Sequence, residues 1–237
     1  MANPYFQFKQ FTVWHDRCAM KVGTDAVLLG SWMQVADARR LLDIGTGCGL
    51  IALMAAQRCP EGQVSAVELD PDAALQAQEN ISRSPWSNRI DVVCTDIRTF
   101  HADEPYDVIF SNPPYFVSSL KCPDSKRTAA RHTDTLNFDT LMNKAASLLS
   151  PCGEFSLVVP TEAVPSLMAS AVSHLLHLSR HTLVCPKPGA KAKRTLLAFR
   201  KEMPAESIIP ETLLIEQSTG RYSDEFQRMV KDFYLDK

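Results

Sequence analysis

Short apolar runs alternate with amphipathic stretches along most of the chain, and their spacing predicts a fold. Arg40–Gly45 (RLLDIG), Val64–Leu69 (VSAVEL), Ile90–Cys94 (IDVVC), Tyr106–Ser111 (YDVIFS) and Glu154–Val159 (EFSLVV) are apolar runs bounded by turn or acidic residues, the pattern of buried strands. Between them, Leu50–Arg58, Asp72–Ser82 and Phe138–Leu149 carry apolar residues at helical spacing. Strand-helix-strand repetition requires crossovers, and right-handed crossovers place helices on both faces of a parallel sheet. Two more strands, Ser179–Val184 and Thr195–Phe199, are joined by the loop PKPGAKAKR with no helix between them, which predicts an antiparallel edge hairpin. The expected architecture is α/β: a mostly parallel seven-stranded sheet with helices on both faces.

Punctuation agrees with this pattern. In Asp70-Pro71-Asp72 the first aspartate is placed to cap a helix that opens on proline, where a missing N–H costs least. Ser150-Pro151-Cys152-Gly153 predicts a helix stop before the next strand, and Asp224–Phe233 a final amphipathic helix. The leading segment is rich in aromatics and ends in an expected helix, Thr24–Met33, so residues 1–35 are taken as a flap and first helix on one domain spanning 1–237.

Composition narrows the setting. With 45% apolar and 22% charged residues over 237 positions, the chain buries a full core without staples. Seven cysteines, odd in number and never spaced C-x-x-C, suggest neither a disulfide framework nor a zinc site. His174 and His177, at i and i+3 on an expected helix, lack a carboxylate or third ligand, so no metal is expected. The start carries no charged-then-apolar leader, and no apolar run reaches the length of a membrane span, so a cytoplasmic protein is expected. A net charge of −2 argues against non-specific coating of nucleic acid, yet basic residues cluster locally at Lys121–His132 and at Lys187, Lys191, Lys193 and Arg194. Nothing specifies an oligomeric state.

Chemistry concentrates at the strand ends. In DIGTGCG, Gly45, Gly47 and Gly49 follow the first strand and lead into a helix; such a turn lets backbone approach a ligand closely. The spacing is G-x-G-x-G, not the dinucleotide G-x-G-x-x-G. About twenty residues on, Glu68 ends the second strand, where a carboxylate accepts from ribose hydroxyls, and Asp96 ends the third. Asp43 heads the same turn and has a role if the ligand carries an ammonium group. Together the residues point to a nucleoside ligand at the sheet crevice.

These residues resemble those of the class I S-adenosylmethionine-dependent methyltransferases, whose Rossmann-like fold is the one expected above. The resemblance implies that Asp43, Gly45, Gly47, Gly49, Glu68 and Asp96 are cofactor residues, with Leu69 and Ile97 beside the two acids. Asn112-Pro113-Pro114-Tyr115, ending the fourth strand, resembles the signature of methyltransferases that act on planar nitrogens. Such a nitrogen is a poor nucleophile because its lone pair is delocalised. Two acceptors, the Asn112 side-chain oxygen and the Pro113 carbonyl, grip its N–H groups and favour the tetrahedral form, which helps most in the transition state. The prolines force the strand to stop, and Tyr115 with Phe116 offers a face on which a base stacks.

Adenine in DNA, a glutamine amide in protein and a base in RNA are all planar nitrogens. The stretch F-K-Q-F-x-V-x-H-D-R-C-A-M-K-V-G-T-D from Phe8 to Asp25, L-L-G-x-W at Leu28–Trp32, A-Q-E-N-I from Ala77 and the terminal F-Y-L resemble the bacterial tRNA1(Val) adenine-37 N6-methyltransferases. That resemblance implies tRNA as partner, S-adenosylmethionine as cofactor, and Lys21, Gly23 and Thr24 at the cofactor. Lys121, Arg127, Arg131, Lys191, Lys193 and Arg194 are then candidates for holding RNA phosphates while the target base is turned out. Glutamine-amide methylation and a non-catalytic RNA-binding module stand as alternatives. Lys21 also reads as a solvated lysine, His15 and Asp16 as loop or capping residues, and Trp14, Trp32 and Trp86 as packing residues.

Overall fold

The computed structural model describes residues 3–18, 20–114, 136–218 and 220–235. Its centre is an eight-stranded sheet built from β3 (Arg40–Ile44), β4 (Gln63–Glu68), β5 (Ile90–Cys94), β6 (Tyr106–Ser111), β7 (Leu149–Pro160), β8 (His177–Cys185), β9 (Arg194–Arg200) and β10 (Glu211–Leu214). The spatial order is β10-β8-β9-β7-β6-β3-β4-β5. β3 to β7 run parallel to one another, and β9 pairs antiparallel with both β7 and β8, its hairpin partner. The sheet is therefore the expected seven strands plus one, because β10 adds parallel to β8 and moves the hairpin one place in from the edge.

Alternation along the strands sorts the core into two layers. Leu41, Val64, Ala66, Val108 and Phe110 face one side, where α1 (Thr24–Trp32), α2 (Leu50–Arg58), α3 (Pro71–Ser82) and α6 (Asp224–Val230) pack. Leu42, Ile44, Val67, Ile109 and Phe155 face the other, against α4 (Phe138–Leu148) and α5 (Val164–Ser173). Two short hairpins complete the chain, β1 (Tyr5–Gln7) with β2 (Thr12–Trp14) and β11 (Glu216–Ser218) with β12 (Arg221–Tyr222). No helix among the described residues is long and apolar enough to cross a membrane.

Two local differences from the sequence reading have clear causes. Ser150–Gly153 does not precede the strand but bulges within β7, between the pairs Leu149–Tyr106 and Glu154–Val108. His174 and His177 do not share a helix. The chain leaves α5 after Ser173 through Leu175 at φ 56°, His174 Nε2 meets Asp139 Oδ1 at 2.9 Å, and His177 opens β8. The hairpin register is held by Glu154, buried at the sheet end remote from the glycine turn, which accepts from Arg180 at 3.3 Å and Arg200 at 2.9 Å. Arg180 in turn lies 3.7 Å over the Trp32 ring and ties α1 to this end.

Candidate functional site

The strand order reverses between β3 and β6, and ligands of open α/β sheets bind outside the carboxyl ends of the strands at such a point. Ile44 and Ser111 are register partners there, and the Ser111 hydroxyl donates to the Ile44 carbonyl at 2.8 Å. Gly45 and Asn112 thus leave adjacent strands, which run about 5 Å apart. The glycine turn folds over the end of β4, with Gly45 and Thr46 N–H both donating to Val67 O at 2.9 and 3.1 Å. Gly45, Gly47 and Gly49 all have positive φ (73°, 56° and 83°), the left-handed region that disfavours any side chain. A Cβ at Gly45 or Gly47 meets nothing within 4 Å, whereas one at Gly49 meets Ala77 and Ile81. The first two glycines border open space and the third packs a helix.

The acids are set at different depths. Asp43 is fully buried beneath the turn; Thr46 Oγ1 donates to its Oδ2 at 2.6 Å, and its Oδ1 has no partner. Burial pushes its carboxyl up to about 7, against the opposing pull of Thr46. Glu68 accepts from Leu69 and Asp70 N–H on Oε1 and from Gly47 N–H on Oε2, all within 2.8–3.0 Å. With about two lone pairs per oxygen, one acceptor position remains, on Oε2. Asp96 is gripped by Arg98, whose backbone N–H reaches Oδ1 at 2.8 Å and whose Nε reaches Oδ2 at 2.7 Å. Hydrogen bonding from the Arg98 side chain holds the Asp96 carboxyl below its usual value.

A cleft of about 190 Å³ is lined by Gly45, Glu68, Leu69, Asp96 and Ile97 and bordered by Pro114; Asp43, Gly47, Gly49 and Asn112 are not among its lining. The structure therefore brings five of the sequence-derived cofactor candidates to one cavity beside the Asn-Pro-Pro turn. Lys21, Gly23 and Thr24 are exposed, at or just before the start of α1, and are not among its lining. Tyr115, Phe116, Lys121, Arg127 and Arg131 lie outside the described residues. Sequence reasoning missed Arg98, whose only signal was its place two residues after an acid in T-D-I-R. It met Asn80 only as part of A-Q-E-N-I and gave it no role; Asn80 accepts from Trp14 N–H at 2.9 Å and donates to Trp14 O and Cys48 O, fastening the leading segment to the glycine turn.

This donor set fits a nucleoside cofactor that carries an ammonium group: two glycines facing open space, an unpartnered buried carboxylate oxygen, and two carboxylates each with acceptor capacity left. Comparison with known proteins agrees. The methyltransferase small domain family matches residues 17–181. A Bacteroides fragilis protein named tRNA1(Val) (adenine(37)-N6)-methyltransferase is 53% identical over 99% of both chains. A protein of the same name from Phocaeicola vulgatus is 52% identical, again over 99% of both. The chain belongs to this methyltransferase family.

Solved structures bear on the methyltransferase fold alone at their low identities. An Agrobacterium tumefaciens protein described as a predicted O-methyltransferase has a TM-score of 0.70 at 22% identity, covering 88% of this chain and 96% of its own. The N-methyltransferase NodS from Bradyrhizobium japonicum, in complex with S-adenosyl-l-homocysteine, has a TM-score of 0.53 at 18% identity, covering 73% and 83%. The β8–β9 loop carries Lys187, Lys191 and Lys193 exposed to solvent. Arg194 does not join them: its Nε donates to Asp25 Oδ2 at 2.7 Å.

Proposed function

We propose that this chain transfers a methyl group from S-adenosyl-L-methionine to the exocyclic N6 amine of adenine 37 in tRNA1(Val), the reaction for which its near full-length relatives are named. The observation that carries the reading is the Asn112-Pro113-Pro114 turn, which leaves β6 one strand from the glycine turn, at the point where the strand order reverses. When bound, the cofactor supplies a methyl carbon on a sulfonium sulfur, an electrophile that needs no activation by the protein. The chain's own task is to hold and orient. Gly45 and Gly47 let backbone approach, Asp43 supplies a carboxylate for the ammonium group, Glu68 accepts from the ribose, and Asp96 accepts from the adenine amine.

The target nitrogen is gripped through its N–H groups by the Asn112 side-chain oxygen and the Pro113 carbonyl. Charge develops on that nitrogen during transfer, so these acceptors act where the barrier lies. The proton leaves afterwards, when the methylated nitrogen is acidic enough to release it to water. An adenine in a loop is turned out at lower cost than one in a duplex. Tyr115 and Phe116 are proposed to stack on it, and Lys121, Arg127, Arg131, Lys191 and Lys193 to hold the neighbouring phosphates.

The test is incubation of the purified protein with radiolabelled cofactor and unmodified tRNA, followed by digestion to nucleosides. The expected label is N6-methyladenosine, at position 37 of tRNA1(Val). Label in an added translation protein and none in tRNA would replace this reading with glutamine-amide methylation.

A further inference from the structure

Strand register places the basic loop at the cofactor end of the sheet. Ser111, last residue of β6, pairs with Leu157 of β7, and Pro160 at the end of β7 pairs with Arg194 at the start of β9. The loop between β8 and β9 therefore leaves the sheet on the same side as Asn112, with Lys187, Lys191 and Lys193 exposed along it. Its base is fastened. Lys193 N–H donates to Val184 O at 3.1 Å, Thr161 N–H to Lys193 O at 3.3 Å, and Arg194 Nε to Asp25 Oδ2 at 2.7 Å. Arg194 Nη1 turns back on the Lys193 carbonyl at 3.1 Å. The guanidinium is thus directed at Asp25 in the first turn of α1 and at its own backbone, and both side chains of the pair are half-buried, 34% and 27% exposed.

We infer that Asp25 and Arg194 are positioning residues that moor the basic loop to the first helix, so that its three lysines are presented, already ordered, to the phosphates of the RNA substrate. The inference rests on the reading of the chain as a tRNA methyltransferase. Four cations in one short loop repel one another, and Gly189, at φ 74°, adds backbone freedom. A loop left to wander loses conformational entropy each time RNA binds; a moored one has already lost it. Asp25 is suited to the task because a carboxylate in the first turn of a helix is itself stabilised by the N-terminal dipole. It cancels the innermost charge, fixes where the loop starts, and leaves the outer three free for phosphate.

Asp25→Asn separates mooring from simple electrostatics. The substitution removes a negative charge, so long-range attraction alone predicts tighter RNA binding, whereas loss of the mooring predicts weaker binding. The experiment measures tRNA affinity by filter binding and the steady-state constants for Asp25→Asn, Arg194→Gln, the double variant, and Lys187→Glu/Lys191→Glu/Lys193→Glu. Each single variant is expected to raise Kd and KM for tRNA roughly three- to tenfold, the range of one ion pair of this exposure coupled to loop ordering. The expected kcat, cofactor Kd and thermal midpoint match the parent, and the double variant is no worse than either single one. Tighter binding by Asp25→Asn, or a loss confined to Arg194→Gln, would overturn the inference and make Arg194 a phosphate ligand. Parallel losses of kcat, cofactor affinity and thermal midpoint would make the pair merely structural. If the triple lysine variant binds tRNA like the parent, the loop does not touch RNA and the inference falls, while methyladenosine formation by the parent still upholds the methyltransferase reading. Absence of that product from the parent would remove both.

Discussion

Asp43 is the most heavily perturbed carboxyl of the candidate site. Its folded pKa of about 7 lies above the ordinary 3.8, so between those values the folded state binds a proton that the unfolded state has released. The stability it contributes is fully present below 3.8 and is lost as pH rises through about 7. The cofactor-free protein should therefore lose several degrees of thermal midpoint between pH 5 and pH 8, and Asp43→Asn should lose less; differential scanning fluorimetry across that range decides it. Cofactor affinity should run the opposite way, rising with pH through about 7, because only the ionised carboxylate attracts an ammonium group. A different outcome is expected at Asn112, the proposed transition-state acceptor, since removing one such acceptor costs about 10²- to 10³-fold in kcat. Asn112→Ala should show that loss in single-turnover assays while calorimetric cofactor binding stays near the parent value.

The glycine turn shows how one motif divides its duties. All three glycines carry positive φ, so alanine at any of them costs about 1–2 kcal/mol of backbone strain. At Gly49 the added Cβ lies 3.4 Å from Ala77 Cβ, a tolerable approach within the α2–α3 packing. At Gly47 the Cβ projects into space that the cofactor is proposed to fill. Gly47→Ala and Gly49→Ala should thus unfold at similar denaturant midpoints, both below the parent, yet only Gly47→Ala should lose cofactor affinity by tenfold or more. Equal affinity losses would mean that the turn acts through its shape alone. The turn is also held from outside, by the Asn80 amide on Cys48 O and by Glu68 on Gly47 N–H. A strand-end acid therefore braces the loop and has one acceptor position left for the proposed ligand.

Across the whole molecule, the parallel register gathers the candidate functional groups at one end of the sheet. The glycine turn, both strand-end acids, the Asn-Pro-Pro turn and the basic loop leave from that end, while the Glu154–Arg180–Arg200 network closes the other. A net charge of −2 is thus compatible with binding a polyanion, since the positive residues are placed where the substrate is proposed to lie. Reversing Lys187, Lys191 and Lys193 together should weaken tRNA binding and lower the slope of log affinity against log salt by roughly 2 to 3, about one unit for each phosphate left without its lysine. An unchanged slope would show that the loop meets no phosphate.

Periodicity made the strand-helix order from Arg40 to Val159 legible, because a strand buried on both faces has little freedom in composition and a glycine turn little in spacing. The same holds for Gly45, Glu68 and Asp96 in the cleft, each tied to a strand end, whereas Leu69 and Ile97 followed only from the family resemblance. What lies between distant segments was not legible. β10 covers β8 through parallel pairing that no local pattern announces, and Leu175 ends α5 before His177, so two histidines that share a helical spacing in sequence stand on different elements. Arg194 looked like one more cation in a basic loop, and only folding brings it against Asp25, 169 positions away. Arg98 turned out to hold Asp96, and Asn80 to hold the leading segment on the turn. Covalent order and apolar period are properties of neighbouring residues and can be read along the chain. The partner of a charge or an amide depends on which segments the sheet register brings together, and that is decided only when the whole core closes.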